Sequence, residues 1–381
     1  MSIATGARHF LACGLQSDFH TTQSSLTTLR VTDCSLAPSR DEFESAELQV
    51  HGQVVDTRQG MHQAGGDISF ELSYGTFDQL LAGICRSDWT TNSTSYSATT
   101  ISAAAAGNKL SDSAAGFGFS AGDWVKLECS ATAANNGVYR ISAASASELT
   151  LEGQALSDAA AGENVTVSGL DILTVGTSQK YFTIQRAFAD IGAYEIYTGC
   201  AINSLSLSIQ PNQMVTGSFG LVAREMETRT SALDPDPAAA PDGDPMSGID
   251  VGSLWEGGAN LAQVSGVSLS IEGNTTAKPV VGSSTAGFMA WTDAFRVTAG
   301  LDAYFQDHDL MNKFLSESES SLRVVLKDPD GATFGFDLPR IKYTGNSSPT
   351  SGRDTITQSA QVKALYQGDQ GTTITFFRRA A

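Results

Sequence analysis

The stretch DISFELSYGTFDQLLAGI, residues 67–84, changes its hydrophobic period halfway. Ile68, Phe70 and Leu72 alternate with Asp67, Ser69, Glu71 and Ser73. A period of two marks a strand with one face on a core. Phe77, Leu80, Leu81 and Ile84 then share one side of a helix, predicted over 75–87 with Thr76 as N-cap. The same order recurs in FRVTAGLDAYFQDHDLMNKFL, residues 295–315. With a one-residue gap, Ile68, Phe70 and Leu72 fall on Val297, Ala299 and Leu301. Tyr74 falls on Tyr304, and Leu80-Leu81 on Leu310-Met311. The second helix is predicted over 306–316, with Asp307 and Asp309 near its start, where the helix dipole favours them. Further on, Tyr197-Thr198-Gly199 matches Tyr343-Thr344-Gly345, and an alternating strand follows each (NSLSLSI and RDTITQSAQVKAL). The pattern is a duplicated β-domain with one helix per copy.

The spacing of the repeat locates an insertion. Tyr74 to Gly199 is 125 residues and Tyr304 to Gly345 is 41, a difference of 84. Residues 93–168, rich in Ala, Ser, Thr, Gly and Asn, still carry the short strand patterns GDWVKLECS, GVYRISAAS, ELTLEG and ENVTVSG. Asn135-Asn136-Gly137 reads as a tight turn between two of them. A structureless loop of that length would be unusual. A small all-β barrel is therefore expected, with Trp124, Val125, Leu127, Val138, Tyr139, Ile141 and Leu149 as its core. The expected division is 1–92 plus 169–232, an inserted domain at 93–168, an acidic Pro/Ala linker at 233–248, and a second copy at 249–381.

The residues that carry chemistry are sparse. Charged residues are 17% of the 381, and 23 Lys+Arg against 41 Asp+Glu leave −18. Such a balance argues against non-specific clamping of DNA, which needs cationic patches to release counterions. No run of eighteen apolar residues predicts a membrane span. The opening MSIATGARHFLACG has no apolar h-region and is not read as a signal peptide. Cys13, Cys34, Cys85, Cys129 and Cys200 are odd in number and widely spaced, which reads as buried reduced thiols. His9, His20, His51, His62 and His308 form no metal-ligand spacing, and no phosphate loop or nucleophile elbow occurs. Asp234, Asp236, Asp242 and Asp244 cluster in LDPDPAAAPDGDP, but prolines break the alternation a calcium loop needs, so a solvated linker is expected. Asp328-Pro329-Asp330-Gly331 reads as a turn, and four N-x-[ST] matches read as chance. No catalytic residue, cofactor or metal is predicted.

Several longer stretches bear on identity: ELQVHGQVVDTRQGMHQAGGDISFELSYGTFDQLLAG (47–83), YFTIQRAFADIGAYEIYTG (181–199), NSLSLSIQPNQMVTGSFGLVAREM (203–226), NKFLSESESSLRVVLKDPDG (312–331) and DLPRIKYTG (337–345). In order and wording they resemble the tail tube protein (major tail protein) of long, non-contractile-tailed bacteriophages, in the subgroup with two tandem tube domains. Residues 93–168 depart from the plain family pattern. The resemblance implies a mainly β fold: two tandem β-sandwich tail-tube domains, each with one flanking α-helix, plus the small inserted barrel-like domain. It implies a structural virion protein, made in the host bacterial cytoplasm, whose trimeric rings stack into a hollow tube for phage DNA. It implies as partners the protein itself, a tape measure protein, and tail terminator and distal tail proteins. Double-stranded DNA would pass without specific binding, and no membrane is involved.

Two expectations follow. A DNA conduit carrying −18 per chain is expected to have an acidic lumen. VDTRQGMHQAGG, residues 55–66, reads as a long Gly-containing loop between strands, and the resemblance makes it a bridge between rings through Arg58, Gln59, Met61 and His62. Two other classes compete. A surface- or carbohydrate-binding fibre or adhesin would want an aromatic cluster on one face, and aromatics are 8%. An enzyme on a β-scaffold would want convergent His, Asp, Glu or Ser residues.

Overall fold

A computed structural model describes residues 3–261, 263–350 and 355–381. The chain is mainly β. Its two described α-helices are α1 (Asp78–Cys85) and α2 (Asp309–Leu315), and neither is long and apolar enough to cross a membrane. Eight neighbouring segments form one antiparallel sheet. In order across it stand residues 31–39, Thr57–Glu71, Thr216–Ala223, Ala193–Ile209, Val264–Glu272, Arg296–Tyr304, Thr357–Ala364 and Thr333–Ser347. The first four and the last four are one arrangement used twice, here called the first and second units.

Two strands are too long to stay within one twisted layer. The first half of Ala193–Ile209 pairs with Phe182–Phe188 and Glu225–Arg229, its second half with Thr216–Ala223 and Val264–Glu272. Thr333–Ser347 repeats this with Glu319–Lys327 and Thr375–Arg379, then Thr357–Ala364. Each long strand thus ties its unit's share of the eight-strand sheet to further strands, and apolar side chains fill the space between. Leu11, Ile184 and Tyr197 meet Ile68, Phe70, Leu205 and Phe219 in one core. The Phe70 ring lies 4.2 Å from that of Phe77 and 4.9 Å from that of Phe219. Burying a side chain of this size contributes about 1.5–3 kcal/mol.

The pairing corrects the register of the repeat. Cys34 pairs with Ile68 as Val267 pairs with Leu301, and Ala37 with Gly65 as Ser270 with Thr298, with one constant offset along the chain. Bulges agree: Val31/Asp33 corresponds to Val264/Gly266. Ile68 therefore corresponds to Leu301, not to Val297. A shift by an even number of residues keeps the same face inward, so alternation alone could not detect it. A second pair of bulges, Ile202/Ser204 and Tyr343/Gly345, sets Tyr343 against Ile202. The Tyr-Thr-Gly match between 197 and 343 is coincidental.

The helices are shorter than predicted. Phe77, not Thr76, precedes α1 and offers no side-chain cap, while the Thr76 hydroxyl bonds that of Ser73 at 2.8 Å. After α1 the chain turns through Arg86 at φ 54°, and after α2 through Glu317 at φ 53°. Arg86 N–H bonds the Gly83 carbonyl and Ser87 N–H that of Ala82, as Glu317 bonds Phe314 and Ser318 bonds Lys313. The matching turns make Arg86 and Glu317 counterparts. In α2 only Leu310 is buried.

Between Ser95 and Gly169 lies a separate seven-stranded sheet with its own core, including Val125, Leu127, Tyr139, Ile141 and Leu149. Trp124 and Val138 are not in that core. They face the second unit, where Trp124 stacks on Phe377 at 5.3 Å beside Leu170 and Val325. The predicted tight turn is a short 3-10 segment, Ala133–Asn135, and Asn136 has φ −67°, outside the left-handed region a two-residue turn needs. Buried Asn135 instead staples the loop to Ser157 through both amide atoms. The expected solvated linker is strapped down. Asp234 accepts from Leu26 N–H, Ala238 N–H donates to the Leu26 carbonyl, and Met246 is fully buried.

Candidate assembly surface

The two units meet strand to strand. Ser204 to Ile209 pair with Glu272 to Val267, so Leu205, Leu207 and Ile209 face the core beside Ile271, Leu269 and Val267. A hairpin of the second unit, Thr275–Lys278 with Phe288–Trp291, folds back over the first unit. Its Ala277, Ala286 and Met289 pack with Phe19, Met61, Ala201 and Val222. Arg86 locks the hairpin base. Its guanidinium donates to the Gly273 carbonyl and, at 3.2 Å, to the Thr275 hydroxyl, and lies 4.2 Å from the Trp291 ring centroid. Stacking on an aromatic face suits this weakly hydrated cation, which is 5% exposed.

The first unit has the matching hairpin, and it reaches into solvent. Ala37–Glu44 pairs with the start of Thr57–Glu71. Residues 55–66 are thus mostly strand, not loop, because cross-strand pairing gives the Gly-containing segment the partner it lacks by itself. The loop lies earlier, at 45–56, and exposes Leu48, Val50, Val54 and Val55. The four residues expected to bridge rings separate. Arg58 and Gln59 are exposed, and Gln59 accepts from Arg40. Met61 packs against the second hairpin, and His62 N–H donates to Ser284 O at 2.8 Å within the same chain.

The outer edges of the eight-strand sheet are open. Among the described residues, segment 31–39 has a strand partner only on its Thr57–Glu71 side, and Gly345 to Ser347 only on their Thr357–Ala364 side. Segment 31–39 of the first unit corresponds to Val264–Glu272, and segment 345–350 of the second to 204–209. Asn346, Ser348 and Thr350 stand where the internal junction has Leu205, Leu207 and Ile209. The Asn346 amide nitrogen is buried without a partner. Polar residues on an unpaired edge limit promiscuous association.

The uncovered face of the sheet is a hydroxyl surface. Ser69, Ser218, Ser206, Ser270 and Thr298 form one registered row across five strands. By the same register, the face carries Asp33, Asp67, Glu71, Glu272 and Asp302 against Arg296, Lys342 and Lys363. Its excess of two acids is a small part of the −18. With five acids against three bases, the face is mildly acidic.

Among the described residues, no three His, Cys, Asp or Glu side chains are grouped to hold a metal. All five cysteines are free and buried, and burial pushes the Cys13 thiol up to about 12. The profile of a family described as "Phage tail tube protein" matches residues 6–364. No curated protein matches the chain.

Proposed function

This chain belongs to the phage tail tube protein family, and from that premise we propose that it polymerises into stacked rings whose bore conducts phage DNA. In this reading residues 1–92 with 169–232 and residues 249–381 are the two tube domains. Residues 93–168 are an inserted domain and 233–248 the connector. Three chains would make a ring of six similar domains.

The observation that carries the proposal is the repeating sheet. Within the chain, the last strand of the first unit pairs with the first strand of the second. The same step between chains would place residues 345–350 of one protomer beside 34–39 of the next. Repeating one junction type closes a ring and hides every edge. The hydroxyl face would line the bore, and its small, nearly neutral side chains offer DNA few cations to bind. A tape measure protein would occupy the same bore before DNA passes. The first hairpin, with its exposed apolar tip at 45–56 and Arg58 and Gln59 nearer its base, would contact the adjoining ring, while Met61 and His62 hold the hairpin to its own chain.

A cryo-EM reconstruction of assembled tubes tests this directly. The expected map has three chains per ring, with 345–350 and 34–39 of neighbours forming one ladder. Six chains per ring, or residues 249–381 outside the wall, would overturn it.

A further inference from the structure

The internal junction is a template for the junction between chains, and it identifies a contact that differs between the two. A Cβ built on Gly273 would stand 3.1 Å from Ile84 Cδ1 and 3.3 Å from an Arg86 guanidinium nitrogen. Position 273 therefore aims at the turn that follows α1. The register that sets Ala37 against Ser270 makes Arg40 the counterpart of Gly273 in the first unit. The matching turns after α1 and α2 make Leu315 and Glu317 the counterparts of Ile84 and Arg86. Where the chain joins itself, a cation reaches a glycine carbonyl. At the free ends, an anion stands at the receiving turn and an arginine on the arriving strand.

We infer that Glu317 of one protomer binds Arg40 of the next in the same ring, with the arginine stem lying over Leu315. The inference rests on the ring reading above. Burial supports it independently. Ile84 is 0% exposed, in the main core and close to Gly273, whereas Leu315 is 71% exposed. Among the described residues Glu317 has no ion-pair partner within the chain, and Arg40 holds only the side chain of Gln59, which it can release. The occupant is a second copy of this chain, because the charge pair and the sheet edge match the chain's own opposite end. The reversed charge also gives selectivity: Glu317 repels carbonyl oxygens of a glycine-type hairpin base and attracts the guanidinium of the correct one.

Charge reversal in the full-length protein tests the pair. Glu317→Arg alone and Arg40→Glu alone should each slow tube assembly by about tenfold or more, since like charges then face each other. The double variant should assemble like the parent. Both positions are exposed, so all three subunits should melt at the parental temperature. A single variant that assembles normally would overturn the inference. So would a double variant that melts normally yet fails to assemble. A parent protein that forms no rings at all would instead overturn the ring reading.

Discussion

At the scale of the residue, Asp112 shows how a buried polar group can hold the fold together. Burial would raise its carboxyl, but hydrogen bonds from Thr100, Gly116 N–H, Ala114 N–H and Tyr96 outweigh that and bring it down to about 2 from 3.8. A depressed carboxylate stabilises the fold at pH above the unfolded value. That contribution falls away as pH drops from about 3.8 through about 2. Asp112→Asn should therefore cost the inserted domain about 1–3 kcal/mol at pH 7, because an amide accepts fewer of these bonds. The gap between variant and parent should close near pH 2. Urea titrations at pH 7 and pH 2 measure it, and a gap independent of pH would refute the role.

At the scale of the element, the inserted sheet is a bracket as well as a domain. Besides the Trp124–Phe377 stack, Arg323 donates to the Val138 carbonyl at 2.8 Å and to Asp337 at 2.8 Å, and its guanidinium lies 4.6 Å from the Trp124 centroid. Arg379 donates to the Gly169 carbonyl, and Asp171–Thr174 pairs with Thr375–Arg379. The insert is thus docked on the second unit rather than hung on a flexible stalk. Trp124→Ala should cost about 3–5 kcal/mol. It should make 93–168 sensitive to a protease, and a denaturing gel should then show two fragments, one ending near residue 93 and one starting near residue 168, with no further cuts in the two units. Equal resistance in parent and variant would show that the stack does not hold the insert. Simple deletion of 93–168 should leave Phe377 and Val325 bare, so the shortened chain is expected to self-associate, which light scattering would detect.

At the scale of the whole molecule, the number of chains per ring can be read from a mixture. In an equimolar mix of the Glu317→Arg and Arg40→Glu proteins, every junction between like chains carries one repelling pair. Unlike chains meet through two kinds of junction, one restored to opposite charges with both partners reversed and one with the parental pair. Unlike chains can alternate throughout only in a ring with an even count. A ring of three must keep at least one like-charged junction. The mixture should therefore assemble better than either variant alone and worse than the double variant. Sedimentation yields report it, and full recovery would point to an even ring.

Much of the fold was legible in local pattern. The alternation around Ile68 and Phe70, the helices beside it, and the change of composition at 93–168 all follow from side-chain periodicity and turn chemistry, which neighbouring residues determine alone. The family followed from the order and wording of the strands. Register did not. A strand moved by an even number of residues keeps its faces, so Ile68 could be set against Val297 or Leu301 with equal hydrophobic agreement, and only the hydrogen-bond partners and bulges decided it. Residues 55–66 read as loop because their glycines lack apolar periodicity, and a partner strand decided otherwise. Trp124 and Val138 read as one core with their neighbours, yet adjacent strand residues point to opposite faces, and which face meets which surface is fixed only when the second unit arrives. The assembly surface belongs to the same class: Arg40, Leu315 and Glu317 are far apart and inconspicuous in the sequence, and only the tertiary pairing shows them to be counterparts of a contact the chain already makes with itself.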